Sequence, residues 1–354
     1  MPDDMQGFQL FVLRTYSMPE IENANKHNRL QKLRAFCHAA QTGSISRAAE
    51  RLFLSQPSVS LLIKALEGDL GVVLFDRHGP RIQLTTAGET LLATALPLVE
   101  GMDHLPDILA ARLGEVESGS LSVAAGESTI LYLLADFIKR FNDAYPKIKV
   151  QIHNVTGRDG LAMVRAGDVD FAVGSMTEIP EDIAYSPVFR YDPMLITPLN
   201  HPLAEKKHLR LEDIGPYGLI LPPRHLSTWR IVDLVFQQNA VPYHVVLEAG
   251  GWEVVKKFVE LGLGISIVTS ICLTGKEKLA AKPLNQYFPQ RNYGVVMLRN
   301  KFITPQAAHF LELMDSGFQR KYQHNNNHPH QAAKANAKTP GQIGDLMGHD
   351  KSLP

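Results

Sequence analysis

Three short amphipathic helices are predicted near the start of the chain by the spacing of its apolar residues. The first helix has apolar residues at Leu30, Leu33, Phe36, Cys37 and Ala40. The second has them at Ile45, Ala48, Ala49 and Leu52. The third has them at Val59, Leu62, Ile63, Leu66 and Leu70. Because only about three residues separate the second helix from the third, the pattern predicts a helix-turn-helix.

The residues at the ends of these helices favour the same boundaries. Gly43 follows the first helix, at the position where a left-handed C-cap is common. Ser44 and Ser55 precede the next two helices and are good N-cap residues. Pro57 falls in the first turn of the third helix, where its missing amide proton has no intrahelical acceptor to lose.

A two-stranded wing is predicted after the third helix. In "VVLFDRHGPRIQLT", two short apolar runs flank a turn at Gly79 and Pro80, and Arg77 and Arg81 bracket that turn. The segment therefore predicts a basic β-hairpin.

A long helix is predicted next, because Thr86 and Glu89 have capping-box spacing. Its apolar positions are Leu91, Leu92, Ala95, Leu96, Val99, Met102 and Leu105. Pro97 and Pro106 predict that this helix kinks or ends early.

From residue 120 onward, strand-like runs alternate with helical patterns. The strand-like runs are LSVAA, IKVQIH, DFAVG, PMLIT, GLILP, HVVLEA, ISIVT and YGVVML. The helical patterns cover residues 129–143, 157–166, 228–239, 251–262 and 304–318. Such alternation predicts an α/β fold of two halves, with parallel sheets and helices on both faces.

Charge is balanced overall, with 36 basic and 36 acidic residues, so no global excess points to nucleic acid or a membrane. Between Lys26 and Arg81, however, nine basic residues face four acidic ones, a local charge of +5 that suits phosphate. The two cysteines have no metal or redox spacing, which suits a reducing cytosol. With neither a signal-peptide pattern nor a membrane-length apolar run, we expect a soluble cytoplasmic protein.

The exposed start of the third helix favours DNA binding. Its first amide groups and the hydroxyls of Ser55 and Ser58 suit phosphate oxygens, while Gln56 and Ser60 suit base edges in the major groove. The alternative is a protein-interaction domain with a solvated basic face, since helix-turn-helix geometry also occurs without DNA.

The segment "GSISRAAERLFLSQPSVSLLIKALEGDLGVVLFDR", followed by "IQLTTAG", resembles the winged helix-turn-helix of LysR-type transcriptional regulators over about 60 residues. The resemblance implies DNA contacts from Ser46, Arg47, Ser55, Gln56, Pro57, Ser58, Ser60, Lys64, Arg77 and Arg81. The family commonly has Arg and Gln after the serine at 60, whereas this chain has Leu61 and Leu62, of which Leu61 is expected to point outward. A leucine there loses a phosphate or guanine contact but can touch thymine methyl groups.

The resemblance also implies the domain organisation. It comprises a flexible arm at 1–26, the winged domain at 27–85, a dimer-forming linker helix at 86–115, an effector domain at 116–319 and a disordered tail at 320–354. The effector domain is expected to be periplasmic-binding-protein-like, with subdomain I at 119–194 and 298–318 and subdomain II at 195–297. Double-stranded DNA, RNA polymerase, a small-molecule effector and further copies in a homodimer or homotetramer are the expected partners, with no cofactor or metal.

The effector is expected to bind between the subdomains, at the carboxyl ends of strands and next to helix N-termini. The candidate residues are Glu127, Ser128, Thr129, Thr156, Gly157, Arg158, Ser175, Arg224, His225, Ser227 and Thr228. Simple helix capping is the alternative role for each Ser or Thr. Because Glu127 repels an anion unless Arg158 or Arg224 offsets it, an amino-acid-like zwitterion would use both signs. The stretch "ILPPRHLSTW" resembles the branch of the family that controls sulfur assimilation, whose effectors are acetylserine-type metabolites and sulfur anions.

Two other classes of protein fit the sequence less well. An enzyme lacks support, since the chain has no HExxH, G-x-S-x-G, phosphate-loop or C-x-x-C motif. Asp168 and Asp170 are predicted to cap loops, and the tail histidines His324, His328 and His330 are expected to bind metal only adventitiously. A transport solute-binding protein needs export, which the helix-turn-helix argues against.

Overall fold

The structure is a computed structural model and describes residues 28–78, 81–113, 118–318 and 320–322. The chain divides into two units, Met1–Val99 and Glu100–Pro354. The predicted arm at 1–26 and residues 323–354 of the predicted tail lie outside the described residues.

Three helices pack together in the first unit, as the apolar pattern predicts. They are α1 Arg29–Thr42, α2 Ile45–Leu52 and α3 Gln56–Leu70. Gly43 ends α1 in the left-handed conformation with φ 62°. The side chains of Ser44 and Ser55 cap α2 and α3 by accepting from the amides of Arg47 and Ser58. The predicted helix-turn-helix is confirmed.

Several apolar side chains that the sequence pattern assigns to the core between these helices are not fully buried. The buried side chains of this core include Phe36, Ala48, Ala49, Val59, Ile63 and Leu66. Leu62 is only half-buried, and Leu70, at the end of α3, is 46% exposed. The two alanines of α2 bring its backbone close to the other helices, which leaves room for few large side chains.

The wing is an antiparallel pair, β1 Phe75–His78 and β2 Arg81–Leu84, whose backbone register pairs Phe75 with Leu84 and His78 with Arg81. The predicted turn residues Gly79 and Pro80 lie outside the described residues.

The linker segment forms two helices, α4 Thr86–Asp103 and α5 Leu105–Arg112. Thr85, rather than Thr86, provides the cap, because its hydroxyl accepts from the amide of Gly88 at 3.0 Å. Pro97 is accommodated inside α4, whereas Pro106 stands in the first turn of α5, after the break at His104.

The second unit continues with alternating strands and helices. In chain order they are β3 Gly119–Ala125, α6 Glu127–Thr129, a π-helical turn Ile130–Leu134, α7 Ala135–Ala144, β4 Ile148–Asn154, α8 Gly157–Ala166, β5 Phe171–Gly174, β6 Ile183–Tyr191 and β7 Pro193–Pro198. They are followed by α9 Pro202–Glu205, α10 Leu211–Ile214, β8 Gly218–Leu221, α11 Ser227–Gln238, β9 His244–Glu248, α12 Trp252–Glu260, β10 Ser266–Thr269, a 3₁₀ turn Ser270–Cys272, β11 Leu279–Pro283, β12 Arg291–Leu298 and α13 Pro305–Met314.

The sheets are mixed, so the prediction of purely parallel sheets is wrong. One sheet has the order β4-β3-β5-β12-β6, in which β3 runs parallel to β4 and β5 while β12 runs antiparallel to β5 and β6. A second sheet, β10-β7-β11, is antiparallel, and β8 pairs parallel with β9. Both β6 and β11 went unpredicted, because neither has a clean apolar alternation.

Separate hydrophobic cores mark two α/β subdomains, which agrees with the predicted fold class. One large core lies around the five-stranded sheet and includes Phe141, Phe171 and Phe310, and it extends to Tyr322, a residue that the sequence pattern placed in the tail. A second large core lies between Leu195 and Phe288. The chain therefore leaves the first subdomain near β7 and returns to it with β12.

Candidate functional site

The tip of α3 presents polar side chains to solvent. Ser55, Gln56 and Pro57 are exposed, and the Ser55 and Ser58 hydroxyl oxygens lie 2.8 Å apart. A single hydrogen bond between two hydroxyls uses one of their two protons, so the pair retains one proton for an outside acceptor. This tip is suited to an oxygen-rich partner such as a phosphate.

Further along α3, Ser60 is half-buried, Lys64 is exposed and Leu61 is 67% exposed. Leu61 lines a shallow groove together with Asn28 and Gln31, at the start of α1. Its outward orientation agrees with the prediction, and it presents an apolar surface beside the polar tip.

Arg47 has a structural contact that the sequence did not indicate. Its guanidinium donates to the carbonyl oxygen of Thr42 at the end of α1, while Ser46 beside it is exposed. For Arg77 and Arg81 the structure describes the backbone, which places them at the two strand ends that flank the wing turn.

A cavity of about 430 Å³ lies between the two subdomains of the second unit. A second cavity of about 240 Å³ adjoins it under β3 and β5. The predicted residues among their linings are Glu127, Ser128, Thr129, Thr156, Gly157, Ser175, Ser227 and Thr228. Both subdomains contribute, as expected for a site at the carboxyl ends of parallel strands.

Three predicted residues are absent from these linings: Arg158, Arg224 and His225. Arg158 is exposed in the first turn of α8, and His225 is exposed in the loop before α11. The Arg224 guanidinium lies over the Trp229 ring, 5.0 Å from its centroid, so it is already engaged by a cation–π contact. The sequence reasoning supposed that Arg158 or Arg224 offsets the charge of Glu127. Neither arginine lines the cavity that Glu127 lines.

Arg291 is the cavity arginine that the sequence reasoning missed. Its Nη1 and Nη2 donate to Thr228 Oγ1 at 2.9 Å and Ser227 Oγ at 2.8 Å, across the gap between the subdomains. Sequence reasoning searched the carboxyl ends of parallel strands. Because β12 is antiparallel, its first residues reach that same edge, beyond Gly174 at the end of β5.

Other lining residues were also missed. They include Leu131, Tyr132, Asn154, Gly251, Trp252, Glu253 and Tyr293. The aromatic members add an apolar wall, and the π-helical turn that carries Tyr132 is the kind of irregularity often found at functional sites.

Thr156 caps the start of α8, which is the alternative role that the sequence analysis gave to each Ser or Thr. Its hydroxyl accepts from the Asp159 amide and donates to Asp159 Oδ2 at 2.7 Å. Asp170 accepts from the amide of Ser122, a residue of β3, at 2.8 Å. Within the described residues, no cluster of three or more His, Cys, Asp or Glu side chains is arranged to hold a metal, and the tail histidines lie outside that range.

A buried lysine lies behind one wall of the cavity. Lys256 Nζ is 2.9 Å from carboxylate oxygens of both Glu253 and Glu277, and it donates to the Cys272 carbonyl at 2.8 Å. The Tyr132 hydroxyl donates to Glu253, and the Lys256 ammonium lies over the Tyr132 ring. Tyr132 thereby links the first subdomain to this cluster.

The pKa values in the cluster keep its ions charged. Burial lowers the pKa of Lys256, but hydrogen bonds to Glu253 and Glu277 outweigh this and raise that pKa above its usual range. Tyr132 and Lys256 lower the pKa of Glu253. Burial raises the pKa of Glu277, but the Thr274 amide and Lys256 outweigh it and lower the pKa to about 2.

Acid is therefore expected to weaken the second unit through Glu277. Its ordinary pKa of 4.5 falls to about 2 in the fold, so its contribution to stability is complete above about pH 4.5 and is lost as the pH falls towards 2. Urea unfolding of the wild-type and Glu277→Gln proteins from pH 7 to pH 3 measures this contribution. The gap between their unfolding free energies should begin to narrow below about pH 4.5 and keep narrowing down to pH 3, since it closes only near the folded-state pKa of about 2. A gap constant with pH would contradict the assignment.

A helix-turn-helix with an exposed polar tip, joined in one chain to a two-lobed domain with a polar cavity, defines a DNA-binding regulator that carries a ligand-binding domain. Residues 30–89 match the "Bacterial regulatory helix-turn-helix protein, lysR family", and residues 114–319 match the "LysR substrate binding domain". The chain belongs to the LysR family of transcriptional regulators.

Proteins similar in sequence to this chain are named as transcriptional regulators. A "Probable RuBisCO transcriptional regulator" from Cyanophora paradoxa is 32% identical, covering 70% of this chain and 78% of that protein. The "HTH-type transcriptional regulator CysB" of Burkholderia cenocepacia is 28% identical, covering 79% of this chain and 91% of that protein.

Solved structures show the same fold. A full-length OxyR variant from Pseudomonas aeruginosa has a TM-score of 0.58 at 24% identity, covering 81% of this chain and 93% of that one. The cofactor-binding domain of the Cbl transcriptional regulator has a TM-score of 0.54 at 24% identity, covering 58% of this chain and 93% of that one. Among the residues that the structure describes, no helix has the length and apolar character to cross a membrane.

Proposed function

We propose that this regulator reads its operator with the tip of α3 and senses a small metabolite that carries an anionic group. The observation that carries the proposal is Arg291, held by Ser227 and Thr228 inside a cavity to which both subdomains contribute. A metabolite bound there touches both subdomains and so can change their arrangement.

The proposed DNA contacts fall into three groups. Gln56 and Ser60 read base edges, with Leu61 available to thymine methyl groups. Ser46, Arg47, Ser55, Pro57, Ser58 and Lys64 position the helix on the backbone, and Arg77 and Arg81 hold the neighbouring backbone or minor groove from the wing. The exposure of Gln56 and Lys64 supports these assignments. The working domain limits are 27–85 for DNA binding, 86–115 for the linker and 116–319 for the effector.

We propose that two copies associate through the linker helices. Met102, Leu105, Leu109 and Leu113 recur at helical spacing from the end of α4 to the C-cap of α5, and each is more than half exposed. We call these four residues the linker stripe. A second copy of the same stripe would bury it by two-fold symmetry, which in turn requires two operator half-sites about one helical turn, or a multiple of a turn, apart.

The proposed setting is the cytoplasm, where the regulator reaches DNA and RNA polymerase. Effector binding would alter the geometry of the oligomer and hence the bend of the DNA, which RNA polymerase reads. Similarity to proteins named CysB supports sulfur or amino-acid metabolism as the controlled pathway.

Selection of fragments from a genomic library by the full-length protein tests the DNA assignment. We expect wild type to enrich an imperfect palindrome over random DNA. Gln56→Ala should relax the preference at one or two base pairs, by about 1–3 kcal/mol each, because it removes a bidentate contact to a base. Substitution of Arg77 or Arg81 should instead weaken binding to every sequence and flatten its salt dependence. If Gln56→Ala left the selected motif unchanged, base reading by Gln56 would be excluded.

A further inference from the structure

One end of the cavity presents hydrogen-bond donors from Arg291, Ser227 and Thr228. Arg291 donates to the Ser227 and Thr228 hydroxyl oxygens, and no carboxylate of the described residues pairs with its guanidinium. Within the described contacts, neither hydroxyl donates to another protein atom, so both protons remain available. A guanidinium has five N–H donors and these two bonds use two of them, so three remain for a bound molecule. A carboxylate is the group that this end recognises best.

Glu127 lines the same cavity and requires a hydrogen-bond donor from the bound molecule, whereas Arg291 requires an acceptor. The exposed Glu127 carboxylate lies beside Gly251, where a Cβ would lie 3.9 Å from Glu127 Oε2. No cation of the described residues forms an ion pair with it. Carboxylate oxygens only accept hydrogen bonds, so Glu127 needs a donor, and a cationic donor suits it most.

Glu253 is the other acidic side chain of the lining, but its charge is already used. Tyr132 donates to it and Lys256 lies 2.9 Å away. Glu127 is therefore the acid that remains for a bound molecule. An inorganic anion would satisfy Arg291 but would place a second negative charge near Glu127 without compensation.

From these contacts we propose that the cavity recognises a zwitterion with both an ammonium and a carboxylate, of the free α-amino acid class. The carboxylate binds Arg291 with the Ser227 and Thr228 hydroxyls, and the ammonium binds Glu127. Trp252 and Tyr293 contribute apolar surface to the lining, and the cavity of about 430 Å³ leaves space for a side chain. This inference rests on the proposed function of the cavity as the effector site.

Calorimetric titration of the full-length protein tests the proposal with four sets of probes. These are the free amino acids, their N-acetyl derivatives, the corresponding amines without the carboxylate, and sulfate with thiosulfate. We expect at least one amino acid to bind about tenfold or more tightly than its N-acetyl derivative and its amine, because each lost ionic contact removes at least about 1.4 kcal/mol.

Glu127→Gln is the deciding variant. It should reduce the preference for the amino acid over its N-acetyl derivative to less than about threefold, since the neutral amide no longer favours a cation. Glu205→Gln, which removes an exposed acid outside the cavity lining, is the matched control and should keep the wild-type preference.

Two results would overturn the proposal that the cavity recognises a zwitterion. One is tighter binding of sulfate or an N-acetyl compound than of any amino acid, which leaves an anion-sensing regulator in place. The other is an unchanged preference in Glu127→Gln. If no probe binds the cavity and the protein also selects no DNA, the proposed function fails together with the inference.

Discussion

A glutamine in place of Arg291 is expected to lower the affinity for carboxylate- or sulfate-bearing effectors on the order of 100-fold, because it removes charge-assisted hydrogen bonds worth about 1.5–3 kcal/mol each. The Ser227 and Thr228 hydroxyls would also lose the group that orients them. Titration of Arg291→Gln with the tightest-binding probe of the panel measures the loss. Operator binding in the absence of effector should persist.

Two control variants separate charge from geometry and fold. Arg291→Lys keeps the charge but loses the fork of donors, so its affinity should lie between those of wild type and Arg291→Gln. Arg224→Gln removes an arginine that stacks on Trp229 outside the cavity lining and should bind as wild type does. Loss of affinity in Arg224→Gln equal to that in Arg291→Gln would place the anion site elsewhere.

A glutamate in place of Leu109 is expected to raise the dissociation constant of the dimer at least on the order of 100-fold. Two-fold symmetry buries the residue in both copies, and each buried leucine contributes about 1.5–3 kcal/mol. The free protomer then meets only one half-site, so operator affinity should also fall. Analytical ultracentrifugation and fluorescence anisotropy with operator DNA measure the two effects.

Two variants serve as controls for Leu109→Glu, one at a leucine of equal exposure and one at the same position. Leu199 and Leu109 are both 58% exposed, but Leu199 lies in the turn after β7, outside the linker stripe. Leu199→Glu should therefore leave the dimer intact, and Leu109→Met, which keeps an apolar side chain, should do so as well. An unchanged dissociation constant in Leu109→Glu would exclude the linker stripe as the dimer surface.

Local signals made the DNA-binding unit predictable. Gly43 needs no side chain in the left-handed conformation, and Ser44 and Ser55 cap helices through atoms within three residues along the chain. The helix boundaries around them follow from such short-range contacts. The exposed tip at Gln56 was also predictable, because the apolar face of α3 leaves it on the other side.

The effector cavity was predictable only in part. Ser227 and Thr228 lie at a helix start after a strand, a position that sequence reasoning searches. Arg291 lies at the beginning of a strand, and nothing local indicates that β12 runs antiparallel to β5. Arg158 and Arg224 were better candidates by position along the chain, yet they lie outside the cavity lining.

The amino-acid sequence alone determined the family, the helix-turn-helix and the approximate position of the strands, since periodicity and capping act over a few residues. The tertiary structure alone decided which charges share the cavity. Arg291 comes from β12, the last strand along the chain, Ser227 from the second subdomain and Glu127 from the first. Strand direction and the return of the chain between subdomains bring them together, and these depend on contacts between residues far apart in sequence.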